Sequence, residues 1–154
     1  MRRALACLGL LALLVPVPAV ADAAADAAAD RAIRAALERW TVDFNAGRAD
    51  RVCALFSPEL RYDYRGFQER GFEEICDLLK RSLADRTRRF SYRPPLVKEV
   101  IVAGDLGVVR LVWTLTVRPV GSSEVFVSRE PGMDVFRRQP DGGWTIVRYI
   151  AYEE

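Results

Sequence analysis

The side chains of this sequence that could do chemistry are few, because the chain contains no histidine. Imidazole-based triads and the commonest metal ligand are excluded, and neither a metal site nor a cofactor is expected. Carboxyl, guanidinium, phenol and thiol groups remain. Cys7 lies in an apolar leader, whereas Cys53 and Cys76 lie in the body of the chain. In an oxidising compartment a disulfide between them is favoured over two buried free thiols, and would stabilise the fold by about 3 kcal/mol in the chain-entropy model. Lys80, Arg81, Arg86, Arg88, Arg89 and Arg93 form a basic run across the end of an expected helix. A solvated face accounts for it better than an anion site, since cations also suit a helix C-terminus.

The compartment is read from the start of the chain. Met1-Arg2-Arg3, the apolar run Ala4 to Val15 and the small-x-small Ala19-Val20-Ala21 form a signal peptide over residues 1–21, cleaved before Asp22. The apolar run is well short of the roughly 20 residues a span requires, so no membrane span is expected after cleavage. The protein is expected to be periplasmic or secreted. Cleavage removes Arg2 and Arg3 from the 23 basic residues and none of the 21 acidic ones, leaving 21 against 21. A net charge of zero argues against nucleic acid as a partner. The remaining 154 − 21 = 133 residues suit one domain with one core.

These groups must be positioned by the elements the pattern predicts. Residues 22–30 repeat Asp-Ala-Ala-Ala, an extension with no apolar face worth burying and expected to fray. A domain follows over residues 31–154. Ile33, Leu37, Trp40 and Phe44 recur at helical spacing, and Asn45-Ala46-Gly47 stops that helix. A second short helix is expected from Ala49 to Phe56, a strand from Leu60 to Arg65, and a third helix from Gly71 to about Leu83. Four long strands complete the chain, with turns at Gly104-Asp105-Leu106-Gly107, Gly121-Ser122-Ser123 and Pro140-Asp141-Gly142-Gly143, and a bulge expected at Pro131-Gly132. Helices first and strands afterwards is an α+β order.

Two stretches carry a resemblance. The helix ending in Asn45-Ala46-Gly47 with Ala54-Leu55-Phe56-Ser57-Pro58-Glu59, and the final Met133-Asp134-Val135-Phe136-Arg137-Arg138 with Asp141-Gly142-Gly143-Trp144, resemble the nuclear transport factor 2-like superfamily. Within it, the chain is similar to the SnoaL-like and ketosteroid isomerase-like branch over about residues 31–152. The resemblance implies a cone: a curved, mostly antiparallel sheet wrapped around three N-terminal helices and enclosing an apolar pocket. It also implies three isomerase site positions. The tyrosine position falls on Trp40, the base position on Tyr64 with Asp63 one place off, and the protonated-aspartate position on Asp134. One of the three is retained, so steroid isomerase chemistry is not expected.

In such a cone Trp40, Tyr62, Tyr64, Trp113, Phe136 and Tyr152 would point inward, and a small apolar or aromatic molecule is the expected ligand. The competing reading is a filled cone, a structural or dimerising module pairing through the outer sheet face of Arg110, Thr114, Thr116 and Arg118 as a homodimer. On the last strand Trp144, Ile146, Arg148, Ile150 and Tyr152 share a face by alternation, with Arg148 its odd member. A loop of odd length centred on Asp141 sets Asp134 opposite Arg148, whereas a two-residue loop sets it opposite Tyr149. The expectation is an Asp134–Arg148 pair that keeps Asp134 ionised and either fixes the polar end of a ligand or staples the hairpin.

Overall fold

The computed structural model describes residues 18–154. Most of the expected signal peptide lies outside them. The elements are α1 (Pro18–Asn45), β1 (Phe56–Tyr64), β2 (Arg70–Gly71), α2 (Phe72–Ala84), β3 (Arg88–Ala103), β4 (Leu106–Pro119), β5 (Phe126–Arg138) and β6 (Trp144–Ala151). The strands form one six-stranded sheet in the order β2-β1-β6-β5-β4-β3, antiparallel throughout except for the parallel β1–β6 pair. This is an α+β fold with two helices rather than the three expected.

The missing helix has a local cause. Residues 49–55 form successive turns, in which Ala54 N–H bonds Arg51 O and Phe56 N–H bonds Cys53 O, each at 3.0 Å. The carbonyl of Val52 accepts from the Trp40 indole at 2.8 Å and Leu55 O accepts from Ile146 N–H at 2.8 Å, so both face the core instead of a further helical turn. Residues 22–30, expected to fray, continue α1. There the stripe Ile33, Leu37, Trp40 and Phe44 reaches one turn further back, to the buried Ala29. Gly107 at the start of β4 makes room for it, since a Cβ there would lie 2.5 Å from Ile33 Cδ1.

Cys53 in the turn and Cys76 on α2 are joined by a disulfide, with their Cα atoms 5.4 Å apart. The bridge ties the turn carrying Leu55 and Phe56 to the apolar face of α2. At the C-terminal end of α1, Asn45 bonds both the N–H and the C=O of Tyr92, at 2.9 and 2.7 Å, pinning the helix to β3.

The β5–β6 hairpin decides which side chains enter the cone. Its turn is the one expected: Gly142 takes φ +85°, and Asp141 Oδ1 accepts from Gly143 N–H at 2.9 Å. The odd-length loop also sets the first pairs, Arg138 with Trp144, Arg137 with Thr145 and Phe136 with Ile146. A bulge then intervenes. Val135 pairs with Arg148 and Asp134 with Tyr149, leaving Val147 as an extra residue on β6. A bulge of one residue inverts the facing of everything beyond it. No such shift occurs at Pro131-Gly132, which pair with Val112 and Leu111 of β4 in an unbroken register.

Candidate functional site: an aromatic cavity with two carboxyls on one strand

Inverted in this way, β6 presents Tyr149 and Ala151 to the inside, with Arg148 and Tyr152 exposed outside. The expected Asp134–Arg148 pair is therefore absent. Arg148 Nη1 instead donates to the main-chain oxygens of Glu59 and Val147, at 2.9 and 2.5 Å. Tyr152 lies against a shallow surface groove beside Phe67 and Ile150.

The cone encloses a cavity of about 80 Å³. A cavity of that size admits several waters or a small ring, whereas a packed core leaves voids hardly larger than one water. Its wall is built in rows across the sheet. The floor row runs Val109, Asp134, Tyr149, Tyr62; the middle row runs Leu111, Gly132, Ala151, Tyr64; at the mouth Trp113 stands opposite Glu130. Gly132 and Ala151 give the middle row its room. A Cβ on Gly132 would lie 2.8 Å from Ile150 O and 3.2 Å from the Ala151 Cβ. From the helical side Trp40, Leu55, Phe56, Ile75 and Leu79 close the cavity, joined by Tyr92 of β3.

Among the expected site residues, Trp40, Tyr64, Trp113 and Asp134 line the cavity. The Trp40 indole N–H is committed to Val52 O and is not offered to a ligand. Tyr62 sits just behind, its ring stacked on that of Tyr149 with centroids 4.4 Å apart and planes at 16°. Phe136 is fully buried core beside Trp144, not a lining residue. Tyr92, Glu130, Gly132, Tyr149 and Ala151 were not anticipated. Glu130 could have been found by alternation, since residues 130, 132, 134 and 136 share a face of β5. Tyr149 stands opposite Asp134, the alternative pairing, but it reaches that place through the bulge and not through a two-residue loop.

The electrostatics of the floor follow from what is missing around Asp134. Its Oδ2 is buried without a hydrogen-bond partner, as is the hydroxyl of Tyr62. Asp134 joins none of the ion pairs among the described residues. Burial alone pushes its carboxyl up to about 7, the opposite of the lowered value an arginine partner would give. Burial also raises the Tyr149 phenol, with Tyr62 and Asp134 adding to it. Nearer the mouth, burial raises Glu130, opposed by a hydrogen bond from Ser128 Oγ at 3.4 Å. Burial and Glu130 together push Tyr64 up to about 12.

A carboxyl kept neutral near pH 7 in an apolar cavity can donate a hydrogen bond or exchange a proton. Residues 37–148 match the family model described as a SnoaL-like domain. The chain belongs to that family. No curated protein sequence matches the chain. Solved structures share the fold. A conserved protein from Planctomyces limnophilus aligns with a TM-score of 0.74 at 19% identity, covering 82% of this chain and 97% of its own. An NTF2-like protein with a cystatin-like fold from Novosphingobium aromaticivorans aligns with a TM-score of 0.65 at 21% identity, covering 93% and 91%. A ketosteroid isomerase-like protein from Erwinia carotovora atroseptica gives 0.62 at 20%, covering 80% and 94%. At these identities the likeness is one of fold.

Proposed function

We propose that this SnoaL-like domain binds, and is equipped to transform, a small and largely apolar molecule in the cone, with a hydrogen-bonding group of that molecule set against Asp134. The observation that carries the reading is the unpartnered, buried Asp134 carboxyl facing an aromatic cavity. An unsatisfied buried polar group costs about 1–3 kcal/mol, and a ligand oxygen or nitrogen at the floor would recover part of it. With a pKa of about 7 the group suits general acid–base work. Export is part of the proposal, resting on the signal-peptide pattern of residues 1–21; the disulfide is compatible with it. Among the described residues no helix is long and apolar enough to cross a membrane.

Native mass spectrometry of the purified protein tests the reading, since a retained small molecule adds mass to the folded ion. Ala151→Leu, which fills the middle of the cavity, is expected to abolish retention while the circular dichroism spectrum stays folded. Retention undiminished in that variant, or no bound species with any small aromatic phenol or ketone offered, would remove the cavity as the site.

The competing filled-cone reading has less behind it, given the open cavity. A homodimer through the sheet nevertheless belongs to the proposal, because the outer face carries the exposed pair Met133 and Ile150, directly opposite each other, with Leu96 exposed nearby on β3. The same mass spectra read it: a dimer weakened by Met133→Glu supports this face, and a monomer at micromolar concentration rejects it.

A further inference from the structure

We infer that the molecule held in this cavity carries a cationic amine, seated at the mouth between the carboxylate of Glu130 and the rings of Trp113, Tyr64 and Tyr92. This rests on the cavity reading above and adds the ligand's charge. The chain has 23 basic residues, yet no arginine or lysine is among the described residues that line the cavity, whereas two carboxyls are. An anionic ligand would find no cation there and would meet the charge of Glu130 at the mouth.

Glu130 has no cation of its own. It accepts one long hydrogen bond from Ser128 and takes part in none of the ion pairs among the described residues. Its nearest basic neighbour in sequence, Arg129, alternates to the other face of β5 and is 3.7 Å from Glu154. The groups facing Glu130 are phenols and acids: Tyr64 from β1, Tyr92 from β3, Asp134 from its own strand, and Glu153 from the C-terminus, whose charge raises it further. A half-buried carboxylate without a partner is costly, and a ligand cation supplies that partner.

The aromatic walls match the same chemistry. Glu130 and Trp113 are direct cross-strand partners, so carboxylate and indole share one spot at the mouth. The rings of Trp40, Trp113 and Tyr92 do not stack. Trp40 meets Trp113 at 68° and Trp113 meets Tyr92 at 77°, both edge to face, and Trp40 is tilted to Tyr92 at 59°, with centroids 5.0, 5.7 and 5.1 Å apart. Aromatic rings lining a cavity beside an acid attract ammonium groups through the ring quadrupoles. An apolar body attached to that ammonium would extend past Gly132 toward Asp134.

The test is a titration of tryptophan fluorescence with two probes of nearly equal shape, phenyltrimethylammonium and tert-butylbenzene, at pH 8 and pH 5. The ammonium is expected to bind about tenfold more tightly than the neutral compound at pH 8. Its advantage should shrink at pH 5, as the raised Glu130 and Asp134 carboxyls take up protons. Glu130→Gln should remove most of the advantage at pH 8, the rest being due to Asp134, while tert-butylbenzene still binds, which also shows that the variant is folded. Equal affinities for the two probes, or an ammonium preference undiminished by Glu130→Gln, would overturn the inference while leaving the cavity reading intact. Binding of neither probe would overturn both.

Discussion

The floor and the mouth of the cavity hold the same chemical group on the same face of the same strand, four residues apart, yet treat it differently. Asp134 lies between Val109 and Tyr149 in the sheet, and burial alone pushes its carboxyl up to about 7. Glu130 lies opposite Trp113, half-buried, with Ser128 offering a hydrogen bond that partly restrains the rise. Depth along one strand, rather than residue type, separates a carboxyl suited to holding a proton from one suited to holding a charge.

The largest way to break this comparison is Asp134→Asn. In the folded protein Asp134 stays protonated up to about pH 7, whereas its ordinary value is 3.8, so between these limits the folded state binds more protons than the unfolded one. Stability should therefore fall as pH rises from about 4 to about 7 and level off above it, by up to about 4 kcal/mol from this group. The neutral amide of the variant carries no such slope. Urea denaturation at pH 4 and pH 8 should find the variant's advantage confined to the higher pH, and equal slopes for the two proteins would mean Asp134 has a partner in solution.

Reducing the Cys53–Cys76 bridge acts on the wall common to both ends, through Leu55, Phe56, Ile75 and Leu79. It should cost about 3 kcal/mol at any pH, read as a shift in urea midpoint with and without reductant. A pH-dependent loss would show that the bridge bears on one end more than the other. Tyr62→Phe is the smallest test. Its buried hydroxyl has at most a weak contact with the Tyr149 phenol, so removing it should change stability by less than about 1 kcal/mol, as measured by thermal unfolding. A larger loss would place a water or a ligand group on that hydroxyl.

Much of this was legible in the order of residues. The spacing of Ile33, Leu37, Trp40 and Phe44 wrote the buried face of α1, and the Cys53–Cys76 bridge and the turn around Asp141 occur where local chemistry favours them. The turn itself was readable, because glycine and aspartate specify a turn through their own backbone preferences, but its register stood open between an odd-length and a two-residue loop until the strands paired. The motifs flanking that turn also pointed to the family, and with it to a cone.

What the chain order could not supply was the single extra residue at Val147. Strict alternation puts Arg148 inside and Tyr149 outside; the bulge reverses both, and with them the chemistry expected of Asp134. A bulge is chosen by how well both faces of the sheet pack after the shift. Here Val147 is buried, the Arg148 guanidinium reaches the main chain of Glu59, and Tyr149 stacks on Tyr62 of β1. None of these partners is near in sequence except Val147 itself. Local propensity therefore determined where the strands begin and turn, and only long-range packing decided which of their side chains the cavity sees.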